Sequence, residues 1–280
     1  MTIVVIGASG CIGEKLVRAL RRDDVEVVEA SPFHGVNTIT GEGLAKALQG
    51  AAVVVDVSNS PSLEGSAALQ FFETSGRRLL AEGKAAGVRH HIALSIVGTD
   101  GLQASGYFRA KKIQEDLIRN SGIPYSILRS TQFFDFIAGV VQNGGNEDVE
   151  ISPALAQPIS ALDVAEVLAA LATGEPSNRT IEVAGPERFR LSDVATEVLT
   201  AYEDPRRIIP DPQALYFGAE LTDQSLLPGR DARIGALRFE DWLRHRLQYG
   251  PFDRATPPCE QPSAGPRRPS SAGRPLPDVP

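Results

Sequence analysis

The sequence predicts an α/β protein built on a doubly wound parallel sheet, with a smaller lobe towards its C-terminal end. Three observations carry this. Short, almost wholly apolar segments recur through the first half, each separated from the next by a stretch of helical periodicity. Such segments are buried on both faces, as the strands of a helix-covered parallel sheet must be. The first of them runs straight into a turn with glycines at 7, 10 and 13, followed at once by an amphipathic helix. With 280 residues, 42% of them hydrophobic, the chain also has enough apolar surface for a sizeable core.

The elements follow in order. Residues 2–6 (TIVVI) form the first strand, and 14–20 the first helix. Residues 25–28 are the second strand, and a stretch leading to Asn37 is expected to form another. A short helix covers 43–48, and 52–57 is a fully apolar third or fourth strand. Residues 69–86 read as a long helix with Leu69, Phe72, Leu79 and Leu80 on its buried side. A strand at 91–95, a helix at 107–121 stopped by Gly122, and a strand at 125–128 complete the alternation. Crossovers between parallel strands are expected to be right-handed. Beyond about residue 130 the rhythm changes. Residues 142–150 are polar and glycine-rich, hence a loop. Residues 161–171 are helical with Asp163 in the first turn, where a carboxylate suits the helix dipole. A strand at 180–183, a helix at 191–202 capped by Ser192 or Asp193, and a helix at 236–249 with the only tryptophan, Trp242, follow. The domain reading is a sheet domain at 1–150 and a small α/β lobe at 151–250, interleaved with the first. Nine of the 20 prolines fall within 251–280, so that segment is expected to be a disordered tail, either inert or partner-binding.

Composition excludes several functions. A net charge of −7 argues against a nucleic-acid surface. No apolar run reaches the ~20 residues that span a bilayer. The first residues already form a strand rather than a signal peptide, and Cys11 and Cys259 do not suggest a disulfide, so a cytoplasmic protein is expected. The four histidines are scattered and no metal site is expected.

The glycine turn carries the first functional signal. Gly7 permits a tight exit from the strand, Gly10 lets an anion approach the backbone, and Gly13 lets the helix pack close to the sheet. Free N–H groups and the positive end of the dipole at the helix start favour a pyrophosphate. Gly7, Ser9, Gly10, Cys11, Ile12 and Gly13 are therefore the candidate dinucleotide-phosphate segment. NAD-preferring sites place a carboxylate at the end of the second strand to take the ribose 2′-hydroxyl. Here that place falls to Ser31, with Glu29 too early and only His34 following, which favours NADP. On the alternative reading Ser31 merely starts a turn and either NADP or NAD binds. Asn37, Ser58 and Asn59 lie at other strand ends facing the adenosine side.

Ser95 ends an apolar strand, and Tyr107 and Lys111 follow at helical i, i+4 spacing. The three residue types suit carbonyl reduction. Lysine lowers the tyrosine pKa and holds the nicotinamide ribose, tyrosine donates the proton, and serine binds the same oxygen. The competing reading has Tyr107 packing against the loop. Thr131, on the cofactor side, and Gln132 and Phe133, on the substrate side, leave another strand end. Arg129 is expected to make structural contacts near the seam.

Together these residues resemble the atypical short-chain dehydrogenase/reductases, and within them the NmrA-like group. The resemblance covers roughly residues 1–245. It is carried by the 7–13 loop, the strand end at 93–98, Tyr107 with Lys111, the strand at 123–129 and the segment at 158–165. It implies a Rossmann fold with a small C-terminal substrate lobe, and either catalysis by the Ser/Tyr/Lys trio or dinucleotide binding without turnover. Ser130 stands where the family usually has proline, and the stretch 31–37 lacks the arginine common in NADP-binding relatives. The expected function is NAD(P)H-dependent reduction of a quinone or small carbonyl compound. Its alternatives are a non-catalytic dinucleotide-sensing regulator and a nicotinamide-retaining epimerase or isomerase. The expected partner is a small-molecule substrate, with no nucleic acid and no membrane, on a monomer or homodimer.

Overall fold

The computed structural model describes residues 1–142 and 147–249. The first half runs β1 (Thr2–Ile6), α1 (Cys11–Arg22), β2 (Glu26–Ala30), α2 (Leu44–Ala47), β3 (Ala51–Asp56), α3 (Gly65–Ala85), β4 (His90–Ile96), α4 (Gly106–Arg119), β5 (Tyr125–Ser130) and α5 (Phe134–Gln142). The second half runs β6 (Val149–Ile151), β7 (Leu155–Ala156), α6 (Ala161–Thr173), β8 (Arg179–Ala184), β9 (Phe189–Arg190), α7 (Leu191–Ala201), β10 (Ile208–Pro210), β11 (Arg233–Ile234) and α8 (Phe239–Tyr249). The expected tail at 251–280 lies outside the described residues, and so do Cys259, with the reading that the cysteines form no disulfide, and positions 143–146 of the expected loop.

Seven described strands form one parallel sheet in the order β11-β8-β5-β4-β3-β1-β2. This is the doubly wound Rossmann-type sheet that the sequence predicts. The alternation of β1 shows how the sequence builds it. Ile3 and Val5 face a core shared with Leu16 and Leu20 of α1 and Val164 and Leu168 of α6. Val4 and Ile6 face the opposite core, with Leu79 of α3 and Ile118 of α4. A strand apolar at every position needs helices on both sides, since successive side chains point opposite ways. Each fully buried Leu, Ile or Val contributes roughly 1.5–3 kcal/mol. The strand order reverses at β1, with β2 on one side and β3 on the other. The crevice above such a switch point is where open α/β sheets bind ligands.

Several expectations are corrected. No strand lies between β2 and α2. Pro32–His34 instead forms one 3-10 turn closed by Gly35 at φ 72°, so Ala51–Asp56 is the third strand. Pro32 cannot donate to a ladder, which ends pairing there. The 142–150 segment is not loop throughout: α5 reaches Gln142 and β6 begins at Val149. Leu69 is only partly buried, while Ala68 joins Phe72, Leu79 and Leu80 inside. Ser192 and Asp193 lie inside the first turn of α7, and Arg190 stands at its N-cap without a side-chain capping bond.

Strand β8 pairs with β5 in the main sheet, and α6 packs against α1. The chain thus returns to the sheet after residue 150. A third core joins α5, α7 and α8 to one face of α3 and α4: Phe134 meets Phe239 and Trp242, and Phe72 and Phe108 belong to the same cluster. Between α3 and α4 two glycines allow a backbone contact: a Cβ on Gly106 would fall 2.5 Å from the Cα of Gly65. This close crossing fixes the start of α4, where Tyr107 is the next residue. No described helix is long and apolar enough to cross a membrane.

Candidate active site

A cavity of about 730 Å³ opens at the carboxyl ends of β1, β3, β4 and β5. Every candidate residue named from the sequence borders it except Gly13. Among the described residues, no Asp or Glu lines it, and Lys111 is its one Lys or Arg.

At one end is the glycine turn. Gly7 has φ +83°, and a Cβ there would fall 2.9 Å from the Ser58 backbone nitrogen. Only glycine meets both demands without strain. Gly10 is the N-cap of α1 and supplies no side chain to satisfy the first-turn N–H groups, while Cys11 and Ile12 border the cavity. Gly13 lies beneath: a Cβ on it would come within 2.1 Å of the Gly7 carbonyl oxygen. Its absence from the lining follows from that packing role.

Beyond β2, Ser31 is buried and its hydroxyl bonds His34 Nδ1 at 2.8 Å. Glu29 does not reach the cavity. Its carboxylate pairs with Arg21 at 2.6 Å and lies 3.3 Å from His34 Nε2. Asn37 accepts from the Ile39 and Thr40 backbone N–H groups at 2.8 and 3.1 Å, which fixes the loop under the cavity. Ser58 donates its N–H and hydroxyl to Asp56 at 3.0 and 2.6 Å.

At the other end, Tyr107 is 2% exposed and donates its hydroxyl hydrogen to Asn59 Oδ1 at 2.8 Å. Burial pushes the phenol well above the ordinary tyrosine range, and Asn59 alone works against that rise. The expected acidification by Lys111 is therefore not seen. The Lys111 ammonium donates instead to the Leu94 carbonyl at 2.9 Å and to Gln114 Oε1, and lies 4.4 Å from the centre of the Phe72 ring. Burial lowers its pKa to about 8, with Asp56 and Glu115 opposing. Gln114 passes the contact on to Asp56 at 3.0 Å.

Ser95 borders the cavity, but its hydroxyl hydrogen goes to Glu115 at 2.6 Å. Burial alone would raise the Glu115 pKa. Bonds from Arg129, Ser95 and Arg119 outweigh it and hold the carboxyl below its usual range. Arg129 grips Glu115 through two nitrogens, at 2.9 and 2.7 Å, and reaches Asp100 at 2.6 Å. Thr131, Gln132 and Phe133 follow β5. Thr131 Oγ1 is buried without a hydrogen bond, and Gln132 lies within reach of the Tyr216 hydroxyl.

Sequence reasoning missed the groups behind these side chains. Glu115 stands four residues after Lys111 on the same helix, a spacing that could have pointed to it. Phe136, Tyr216 and Phe217 also border the cavity, and no local motif marks them. Among the described residues, no group of His, Cys, Asp and Glu could hold a metal ion.

Comparison with known proteins gives the family and the fold. A family model described as NAD(P)H-binding matches residues 7–175. The chain is 26% identical over 214 residues to photosystem II assembly factor Ycf39 of Cyanophora paradoxa, covering 69% of this chain and 66% of that protein, just under two thirds of its length. It is 26% identical over 222 residues to (4-alkanoyl-5-oxo-2,5-dihydrofuran-3-yl)methyl phosphate reductase of Streptomyces griseus, covering 73% of this chain and 75% of that protein. An NADPH-dependent quinone oxidoreductase of Escherichia coli shares the fold with a TM-score of 0.62 at 15% identity, over 88% of this chain and 99% of that one.

Proposed function

The chain belongs to the NAD(P)H-binding family, and from that premise we propose that it is an oxidoreductase reducing a quinone or small carbonyl compound, with NADPH preferred to NADH. The observation that carries this reading is one cavity that joins the start of α1, Tyr107 and Lys111, with no carboxylate among the described residues that line it. The relatives named as a reductase and a quinone oxidoreductase support it.

The residues present fit a dinucleotide. The start of α1, where Gly10 brings no side-chain cap, suits a pyrophosphate. The buried, unbonded Thr131 hydroxyl is a polar group that a ligand would complete, and leaving such a group unpaired costs about 1–3 kcal/mol. When bound, the cofactor supplies the hydride. The chain does the rest. Gly7, Ser9, Gly10, Cys11 and Ile12 hold the phosphates, with Gly13 packing the helix beneath them. Ser31 meets the adenosine ribose, where the lack of a carboxylate admits a 2′-phosphate. Asn37, Ser58 and Asn59 border the adenosine side. Lys111 anchors the nicotinamide ribose. Tyr107 exchanges Asn59 for the substrate oxygen and donates its proton there. Ser95, its hydrogen held by Glu115, serves to fix α4 against β4 rather than to donate to substrate. Gln132 and Phe133 face the substrate. The unit at 151–250 contributes the substrate side, and the cytoplasm remains the expected compartment.

A second reading is favoured by one observation: Tyr107 is buried and Lys111 does not acidify it. On that reading the chain binds dinucleotide without turning it over and acts on a partner. NADPH oxidation against a panel of quinones and small aldehydes, alongside NADPH binding, decides between them. Turnover is expected; tight binding without turnover on any substrate overturns the reductase in favour of the regulator.

A pH effect follows from Lys111. Its ammonium is charged below about 8 and neutral above it. Dinucleotide affinity is therefore expected to fall as pH rises through that value, and Lys111→Met should flatten the profile. NADPH titrations between pH 6.5 and 9.5 check this.

A further inference from the structure

Beside Tyr107 the cavity is bordered by a turn from the second half of the chain. Tyr216 and Ala219 exchange backbone hydrogen bonds of 2.8 and 3.0 Å, leaving Phe217 and Gly218 at the corner. Both corner residues have positive φ, 51° and 83°. That geometry belongs to a primed hairpin turn, whose first corner normally holds Asn, Asp or Gly. A phenylalanine there is strained, because its Cβ crowds the neighbouring carbonyl. The strain has a visible counterpart. The Phe217 ring stacks on Tyr107, with centroids 5.6 Å apart and planes at 25°, and on Phe136, at 5.7 Å and 19°. It also meets Phe108 edge-on at 6.1 Å. Tyr107, Phe136, Tyr216 and Phe217 all border the cavity.

A substrate oxygen must come within about 3 Å of the Tyr107 hydroxyl to take its proton. The aromatic face beside that hydroxyl is covered by Phe217. We propose that Phe217 is the specificity-determining residue of the site, selecting substrates with a flat conjugated ring over aliphatic carbonyl compounds. This rests on the reductase reading. The physical reason is stacking. Any substrate that reaches Tyr107 must share or displace the Phe217 ring. A planar conjugated ring restores the offset stacks that displacement breaks, whereas a saturated chain offers no π-face in return. The strained corner assists, since a turn held in place by its ring contacts gives way once those contacts pass to a ligand.

The test compares kcat/KM for 2-methyl-1,4-naphthoquinone with that for cyclohexanecarboxaldehyde in wild type, Phe217→Ala and Phe217→Tyr. Circular dichroism confirms that each variant folds. The quinone-to-aldehyde ratio should fall about tenfold in Phe217→Ala, through KM of the quinone, and be kept in Phe217→Tyr. An unchanged ratio in Phe217→Ala overturns the assignment. Hydrogen exchange at the Tyr216 and Ala219 amides, with NADP and the naphthoquinone added, needs no turnover. Faster exchange on adding the quinone, in a protein that reduces nothing, leaves Phe217 as the ligand-selecting residue while removing the reductase reading. Unaltered exchange in that case overturns both.

Discussion

Replacing Tyr107 by phenylalanine is expected to lower kcat by ~10²–10⁴-fold, the range by which a positioned general acid accelerates proton transfer, and to leave NADPH affinity nearly unchanged. The ring is what packs. It stacks on Phe217 and meets Phe72 and Phe108 at their edges, and phenylalanine keeps all of this. The hydroxyl donates to Asn59 Oδ1, and that oxygen also accepts from the Ser60 N–H at 2.9 Å, so its removal strands no acceptor. Stability should fall by about 1 kcal/mol or less. The experiment therefore isolates the proton. A variant that turns over at the wild-type rate removes Tyr107 as the acid, and the reductase reading would need another donor.

Gly10→Val should weaken NADPH binding by about 100-fold, equivalent to ~2.7 kcal/mol, while the melting temperature stays close to that of the wild type. Gly10 sits at φ −88° and ψ 170°, extended backbone that valine adopts readily. Its new Cβ would lie 3.2 Å from the Gly7 carbonyl oxygen, a contact that a shift of a few tenths of an ångström relieves. The two methyls beyond it would occupy the approach to the first-turn N–H groups. Gly13→Val is the instructive contrast. There the Cβ meets backbone at 2.1 and 2.7 Å, so α1 must leave the sheet and the fold itself should fail. Fluorescence titration with NADPH and a thermal melt separate the two. Unaltered affinity in Gly10→Val would remove the phosphate-loop assignment.

The alternation of apolar segments and helical stretches made the first half legible, because a strand buried on both faces leaves a continuous apolar run and a helix leaves a 3.6-residue period. The glycine turn is equally plain, since Gly7 and Gly13 answer steric demands that no other residue meets and Gly10 keeps side-chain atoms away from the helix start. Legibility ended where contacts are long-range. The strand at 179–184 reads as part of a separate lobe because nothing local says which sheet it joins; its partner is β5, some 50 positions earlier. The stretch before Asn37 suggests a strand, and Pro32 with Gly35 turns it into a bend. The raised pKa of Tyr107 is illegible for the same reason. Spacing put Lys111 on the same helix face, but the Leu94 carbonyl and Gln114 claim its ammonium.

The sequence by itself determined the doubly wound sheet, the glycine turn and the set of side chains at the strand ends, because local sterics and burial periodicity act over a few neighbouring residues. Only the tertiary structure decided what each hydroxyl bonds and what lies over it. Glu115 takes the hydrogen of Ser95, and Phe217 arrives over Tyr107 from 110 positions along the chain. Hydrogen bonding and stacking depend on distance in space, and a turn carries no local signal of the ring against which its side chain will rest.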